Sequence, residues 1–180
     1  MDEIVKAALR KWPHVPHCHG WLALDARGEW YMRDESVQRA GPFPAVKGSR
    51  ITHEKLREFI HRNYAADERG AWFFQNGPQR VYVELESAPL VWRVMWQGDV
   101  LTVAAHTGRG AAQVEPWLDE AGRLYLNTGQ GFGIVHSQDM LDASRAVEAG
   151  LWVPRELPFA QMPARFGYVL SPQQMRAAAS

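Results

Sequence analysis

Apolar and polar positions alternate most regularly between residues 71 and 106, and four strands follow from that alternation: 71–75, 79–86, 90–97 and 100–106. In the second, Val81, Val83 and Leu85 face one side while Tyr82, Glu84 and Glu86 face the other. In the third, Trp92, Val94 and Trp96 share a face, and Gly98-Asp99 turns the chain into the fourth. The links are short and no long crossover intervenes, so the spacing predicts an antiparallel meander. Elsewhere the period is helical. Ile4, Val5, Ala8, Leu9 and Trp12 fall on one face of a helix over 2–12, which Pro13 ends. Leu56, Phe59, Ile60 and Tyr64 form a stripe behind Thr52, the expected N-cap, with Glu54 suited to the first turn. Met140, Leu141, Ser144, Val147 and Leu151 recur behind Ser137, a second expected N-cap, and Gly150 marks the end.

A short pattern punctuates these elements. Asp-x-x-Gly before a bulky apolar run occurs at 25–28, 67–70 and 119–122. Each reads as a tight turn feeding a strand, because Asp bonds its own turn backbone and Gly supplies positive φ. Turn, strand, loop and capped helix then follow at 25–64 and again at 119–151, an imperfect internal repeat. Between Asp34 and Arg50 the composition becomes polar with Gly and Pro, which predicts a mobile surface loop. The tail from Val153 carries Pro154, Pro158, Pro163 and Pro172 among Phe159, Phe166 and Tyr168. It reads as an extended arm laid across the body or onto a second subunit, the latter giving a homo-oligomer. The expected fold is α+β: an antiparallel meander with two helix-capped repeats sharing one core. The expected organisation is an N-terminal lobe over 1–110, a second repeat lobe over 111–152 and the Pro-rich arm over 153–180.

The strings GWLALDARGEWYM, ITHEKLREFIHRNY and DERGAWFFQNGPQRVYVELESAPLVW resemble a proteobacterial family of unknown function whose members are of about this length. More distantly, the chain is similar to a second bacterial family of unknown function. The two share the order of turn, capped helix, aromatic strand, meander and closing helix. The resemblance implies an α+β fold with repeated structural motifs in two lobes. It also implies a signalling or ligand-binding role, and it brings no catalytic residues. The long 34–50 loop and the Pro-rich tail depart from the second family.

Composition narrows the function classes. Of 180 residues, 46% are apolar, as in a globular protein. Lys plus Arg equals Asp plus Glu at 20 each, so no global field draws in nucleic acid or an anionic membrane. The single Cys18 forms no intramolecular disulfide, and the N-terminus lacks the apolar core of a signal peptide. No run approaches the roughly 20 apolar residues that span a bilayer. A cytoplasmic protein is expected.

Candidate chemistry is sparse. His14, His17, Cys18 and His19 are four potential Zn or Cu donors within six residues. The spacing matches no standard zinc module, and a surface loop is the favoured reading. The glycines of 127–133 follow a strand without opening a helix, so they read as a hairpin-like connector and not a phosphate loop. Glu84, Glu86, Asp99 and Asp119 offer carboxylates for acid–base work, but Glu84 and Glu86, beside Tyr82 and opposite Arg93, fit the solvated face of a sheet. Trp72, Phe73, Phe74, Tyr82, Trp92 and Trp96 suit a core better than a base-stacking surface. The expectation is a ligand-binding or regulatory module without catalysis or cofactor, with a small molecule or a protein as partner. The alternative is an enzyme with a site in a groove between the lobes, metal-dependent through the N-terminal histidines.

Overall fold

The computed structural model describes residues 1–179. Its α+β content is organised in two six-stranded sheets, one in each of two compact units. The first unit holds Met1–Asp25, Glu29–Glu86 and the chain from Tyr168 onward; the second holds Ala26–Gly28 and Ser87–Gly167.

The first unit begins with α1 (Glu3–Lys11), where Val5 is buried and Ile4 is 75% exposed. It continues through β1 (Cys18–Leu24) and β2 (Trp30–Met32). The polar stretch expected to be a mobile loop is ordered as α2 (Glu35–Ala40) and β3 (Ser49–Arg50). Asp34 caps α2 by accepting from Val37 N at 2.9 Å. The buried Arg33 ties down the link between α2 and β3, donating to the carbonyls of Gly41 at 2.6 Å and Val46 at 3.2 Å. Next come α3 (Glu54–Arg62), β4 (Tyr64–Ala66), β5 (Trp72–Asn76) and β6 (Gln79–Leu85). The cap of α3 is His53, whose Nδ1 accepts from Leu56 N at 3.3 Å, and not Thr52. Tyr64 has left the helix and pairs with Phe74 in the sheet. The order is β3-β2-β1-β6-β5-β4, antiparallel except for β1 beside β6.

The second unit holds β7 (Leu90–Gln97), β8 (Val100–Ala105), β9 (Glu115–Leu118), β10 (Leu124–Thr128) and β11 (Gly131–Val135). A 3-10 turn leads into α4 (Met140–Glu148), followed by β12 (Arg155–Glu156) and α5 (Met162–Phe166). His136 caps the 3-10 turn through Nδ1, accepting from Gln138 N at 3.1 Å, where Ser137 was expected to do so. The glycines of 127–133 form the β10–β11 hairpin, with Thr128 opposite Gly131. Gly133 is required by close packing, since a Cβ there would lie 2.5 Å from Trp92 Nε1 and 2.6 Å from Leu90 O. The order is β12-β9-β10-β11-β7-β8, with β11 parallel to β7 and β12 parallel to β9.

The four strands expected as one meander are present, but they divide between the sheets. β6 pairs with β1 and β5, β7 pairs with β8 and β11, and Ser87–Pro89 separates them. The boundary between units accordingly falls at 86/87, not near residue 110. Both sheets place a hairpin beside a three-stranded meander through one parallel pair: β1–β2 with β4–β5–β6, and β7–β8 with β9–β10–β11. The recurrence therefore lies in strand order, while the helices occupy different places, α3 before its meander and α4 after. The tail is not an extended arm. Pro163 and Pro172 sit in the first turns of α5 and α6 (Pro172–Ala178), where a missing N–H costs nothing. Among the described residues no helix is long and apolar enough to cross a membrane.

Candidate functional site

The three Asp-x-x-Gly turns share one hydrogen-bond plan. Asp67 Oδ1 accepts from Arg69 N and Ala71 N, both at 2.9 Å, and Asp119 Oδ1 accepts from Ala121 N at 2.9 Å and Arg123 N at 2.8 Å. Asp25 Oδ1 accepts from Glu29 N at 3.0 Å. In each copy a tyrosine hydroxyl donates to Oδ2. Tyr31 and Tyr125, six residues after their aspartates, do so at 3.0 and 3.1 Å. In the middle copy that position is Phe73, and Tyr82, directly across the sheet from Phe73, supplies the hydroxyl at 3.0 Å. This exchange carries a tyrosine onto β6 and makes the middle turn the rim of a cleft.

The cleft has a volume of about 690 Å³. His17 lies just before β1 and His19 within it, Asp67, Glu68 and Arg69 come from the turn, Arg80 and Tyr82 from β6, and Met175, Arg176 and Ala179 from the C-terminal segment. Behind the lining, Tyr82 belongs to a buried cluster with Ala71 and Phe73, onto which Val169 and Met175 pack. The His19 ring stacks on Tyr82 at 4.6 Å and 19°, and His17 approaches the same ring at 5.6 Å. The β1–β6 register breaks between Cys18 and Leu22, a bulge of the kind that re-aims neighbouring side chains. At its centre Gly20 has φ 81° and faces Gln38 and Gln173 so closely that a side chain would displace them.

The C-terminal wall is anchored by Glu84. Its Oε1 accepts from Gln173 N at 3.0 Å and its Oε2 from Ser171 Oγ at 2.5 Å, while Ser171 Oγ caps α6 by accepting from Gln174 N at 3.2 Å. Glu84 is therefore buried rather than on a solvated face, because the tail folds back over that side of β6. Burial pushes its carboxyl above the ordinary value, against the bonds from Ser171 and Gln173. Arg93, expected opposite it, instead forms a two-pronged pair with Asp139 at 2.6 and 2.9 Å.

The charges around the cleft are unequal. Asp67 accepts from two backbone N–H groups and Tyr82, which fixes its carboxylate at the turn while its negative charge still acts on the phenol. Arg80 lies 4.4 Å over the Phe73 ring, and Arg176 Nη1 is 3.3 Å from His19 Nδ1. Burial, then Arg176, then His17 hold the His19 imidazole below its usual value. Burial and Asp67 raise the Tyr82 phenol, which stays protonated at neutral pH. Among the described residues the lining includes no Ser, Thr, Cys or Lys, and what it presents is bonding groups and proton carriers.

Of the four proposed metal donors, His17 and His19 line the cleft, and His14 and Cys18 do not. Strand alternation from Cys18 onward separates neighbours onto opposite faces. Among the described residues no three His, Cys, Asp or Glu side chains are placed to hold a metal ion. Asp99 is fully exposed, Asp119 is enclosed in its turn, and Glu86 pairs with Lys47 at 3.3 Å. A groove of the second unit, about 670 Å³, is lined by residues that include Glu115, Asn127 and Trp152. Its polar groups pair with one another and with Arg155, since Asn127 donates to Glu115 at 3.1 Å and Arg155 bridges the same carboxylate.

The sequence singled out His17 and His19 only as metal donors and Tyr82 only as a sheet or core aromatic, and it did not group Arg69, Arg80 and Arg176. The accessible signal was the tyrosine moved from the sixth position after Asp67 to the facing strand.

A search of curated proteins finds no significant match. Among solved structures the fold is similar to a DUF1285 family protein from Silicibacter pomeroyi DSS-3, with a TM-score of 0.51 and 16% identity over 82% of this chain and 84% of that one. A DUF1285 family protein from Shewanella baltica OS155 matches at a TM-score of 0.45 and 17% identity, over 69% of this chain and 91% of that one. The DUF2944 family, described as "Protein of unknown function (DUF2946)", matches residues 1–173, and the chain belongs to it.

Proposed function

We propose that the protein is a ligand-binding module of the cytoplasm, without catalysis of its own, and that its ligand occupies the cleft beside Tyr82. One observation carries the reading: a cleft large enough for a small molecule is walled by positioned guanidinium and imidazole groups around a tyrosine locked to Asp67. The rigid floor supports binding, since Tyr82 is held on one side by the turn and on the other by His19. The protonated phenol, and a described lining made of guanidinium, imidazole and carboxylate groups, support a binding role over covalent chemistry. A single cysteine without a disulfide suits a reducing compartment.

Thermal-shift measurement against a panel of small metabolites tests this, because a ligand that binds only the folded state raises the melting temperature. A compound class that stabilises the wild type by several degrees and loses its effect with His19→Gln is the expected result. A stabilising compound whose effect survives that change would refute the assignment of the cleft.

A further inference from the structure

We propose that the ligand of this cleft is a small anion, a carboxylate or a phosphate, gripped by the guanidinium groups of Arg80 and Arg176 beside His19. The inference rests on the binding reading above and names its chemistry. Three guanidinium groups, those of Arg69, Arg80 and Arg176, border the cleft. The described carboxylates on the same border are Asp67 and Glu68, the first held in place by its own turn and by Tyr82. Among the described lining residues three guanidinium groups face two carboxylates, an excess of one positive charge, and an anion from solution completes the balance.

Geometry adds direction. The Arg80 guanidinium lies over the Phe73 ring at 4.4 Å, and a guanidinium fork presents its N–H edges to planar or tetrahedral oxyanions in two-pronged fashion. Arg176 stands against His19 Nδ1, so the neutral imidazole that accepts from it carries its proton on Nε2, a further donor. Burial lowers the proton affinity of the resident imidazole most, and Arg176 and His17 lower it further. The groups facing it are Tyr82 on β6, Arg176 on α6 and His17 just before β1. Apolar lining is limited to Ala66, Met175 and Ala179, which fits a polar ligand.

The test follows the His19 ring by NMR at constant ionic strength set with chloride, the signal being assigned with His19→Gln. Inorganic phosphate and citrate are titrated in separate arms, with glucose and adenosine as neutral probes. The expected result is a saturable shift with one anion, an upward movement of the His19 titration midpoint by about half a unit or more, and no response at the exposed His53. Arg80→Gln combined with Arg176→Gln should weaken that anion's binding about tenfold or more. The arm that responds separates a phosphate from a carboxylate ligand. If a neutral probe saturates the His19 shift and neither anion does, the anionic class is refuted while the cleft remains a binding site. If no probe moves His19, both readings fall. An anion effect undiminished in the double variant is diffuse screening and overturns the proposal.

Discussion

The turn plan is tested hardest at Asp119, whose side chain is completely enclosed. Replacing it with alanine removes the acceptor of two backbone N–H groups, Ala121 and Arg123, and of the Tyr125 hydroxyl. A hydrogen bond to a charged group contributes about 1.5–3 kcal/mol and a stranded buried donor costs about 1–3 kcal/mol. Tyr125 keeps Ser87 as a partner at 3.1 Å, which reduces its share. Arg123 is 42% exposed and can be solvated, so its ion pair adds less than about 1 kcal/mol. The sum is about 3–5 kcal/mol, a large fraction of the 5–15 kcal/mol typical of a domain. Asp67→Ala removes the same pair of turn bonds at a half-buried site, and its cost should be about 2–3 kcal/mol. Urea unfolding followed in parallel by tryptophan fluorescence and far-UV circular dichroism measures both variants. Asp119→Ala within about 1 kcal/mol of wild type, or less damaging than Asp67→Ala, would refute the reasoning. The acid limb gives a second reading. Burial alone would raise the Asp119 carboxyl, but bonds from Arg123 and Tyr125 outweigh it and hold the group below its ordinary 3.8. A carboxylate of that kind stabilises the fold above its unfolded value, and the contribution disappears as pH falls through the folded one. Wild type should therefore lose more stability than Asp119→Asn in the acid range below 3.8.

Three further outcomes are expected. Tyr82→Phe removes the bond to Asp67 and should cost about 1 kcal/mol, a melting shift of about 2–4 °C; Tyr125→Phe, which loses Asp119 and Ser87 together, should cost more, and the reverse order would contradict the plan. His61 accepts from Trp30 Nε1 at 2.9 Å, and burial, then Arg57, lowers its imidazole to about 4. The unfolded chain binds this proton first, so stability should drop as pH falls from 6.5 to about 4, and His61→Gln should flatten that slope in pH-dependent melting curves. Glu84 behaves oppositely: its raised carboxyl takes up a proton in the fold before the unfolded chain does, so its stabilising contribution is lost as pH rises through the folded value. The stability of Glu84→Gln relative to wild type should increase as pH is raised from 4.5 toward neutrality, and a difference independent of pH would rule this out.

The legible parts of the fold were those written over short distances. The three turns could be read because Asp and Gly act on backbone within four residues, and each Gly does adopt positive φ, at 80°, 79° and 72°. The strands of 71–106 could be read from alternation, but not their division, because a break at Ser87–Pro89 looks like any short link. Pairing of β1 with β6 joins residues about sixty apart, and no local pattern encodes it. Helix caps were misplaced by one residue at Thr52 and Ser137 because a neighbouring histidine offered Nδ1 in place of a hydroxyl. Glu84 looked solvated because alternation describes two faces without saying that a tail from beyond residue 168 covers one. The cleft was least legible of all. Its cations lie at 69, 80 and 176 and meet only after the sheet has formed and α6 has docked.

The central claim, that the cleft beside Tyr82 receives an anion, is tested most directly by locating one. Crystals grown with citrate and, separately, with inorganic phosphate should show the ion against the guanidinium groups of Arg80 and Arg176. They should show it absent from the Arg80→Gln, Arg176→Gln double variant under the same conditions. An empty cleft in the wild type at concentrations that stabilise the protein in solution, with the ion bound elsewhere, would contradict the account.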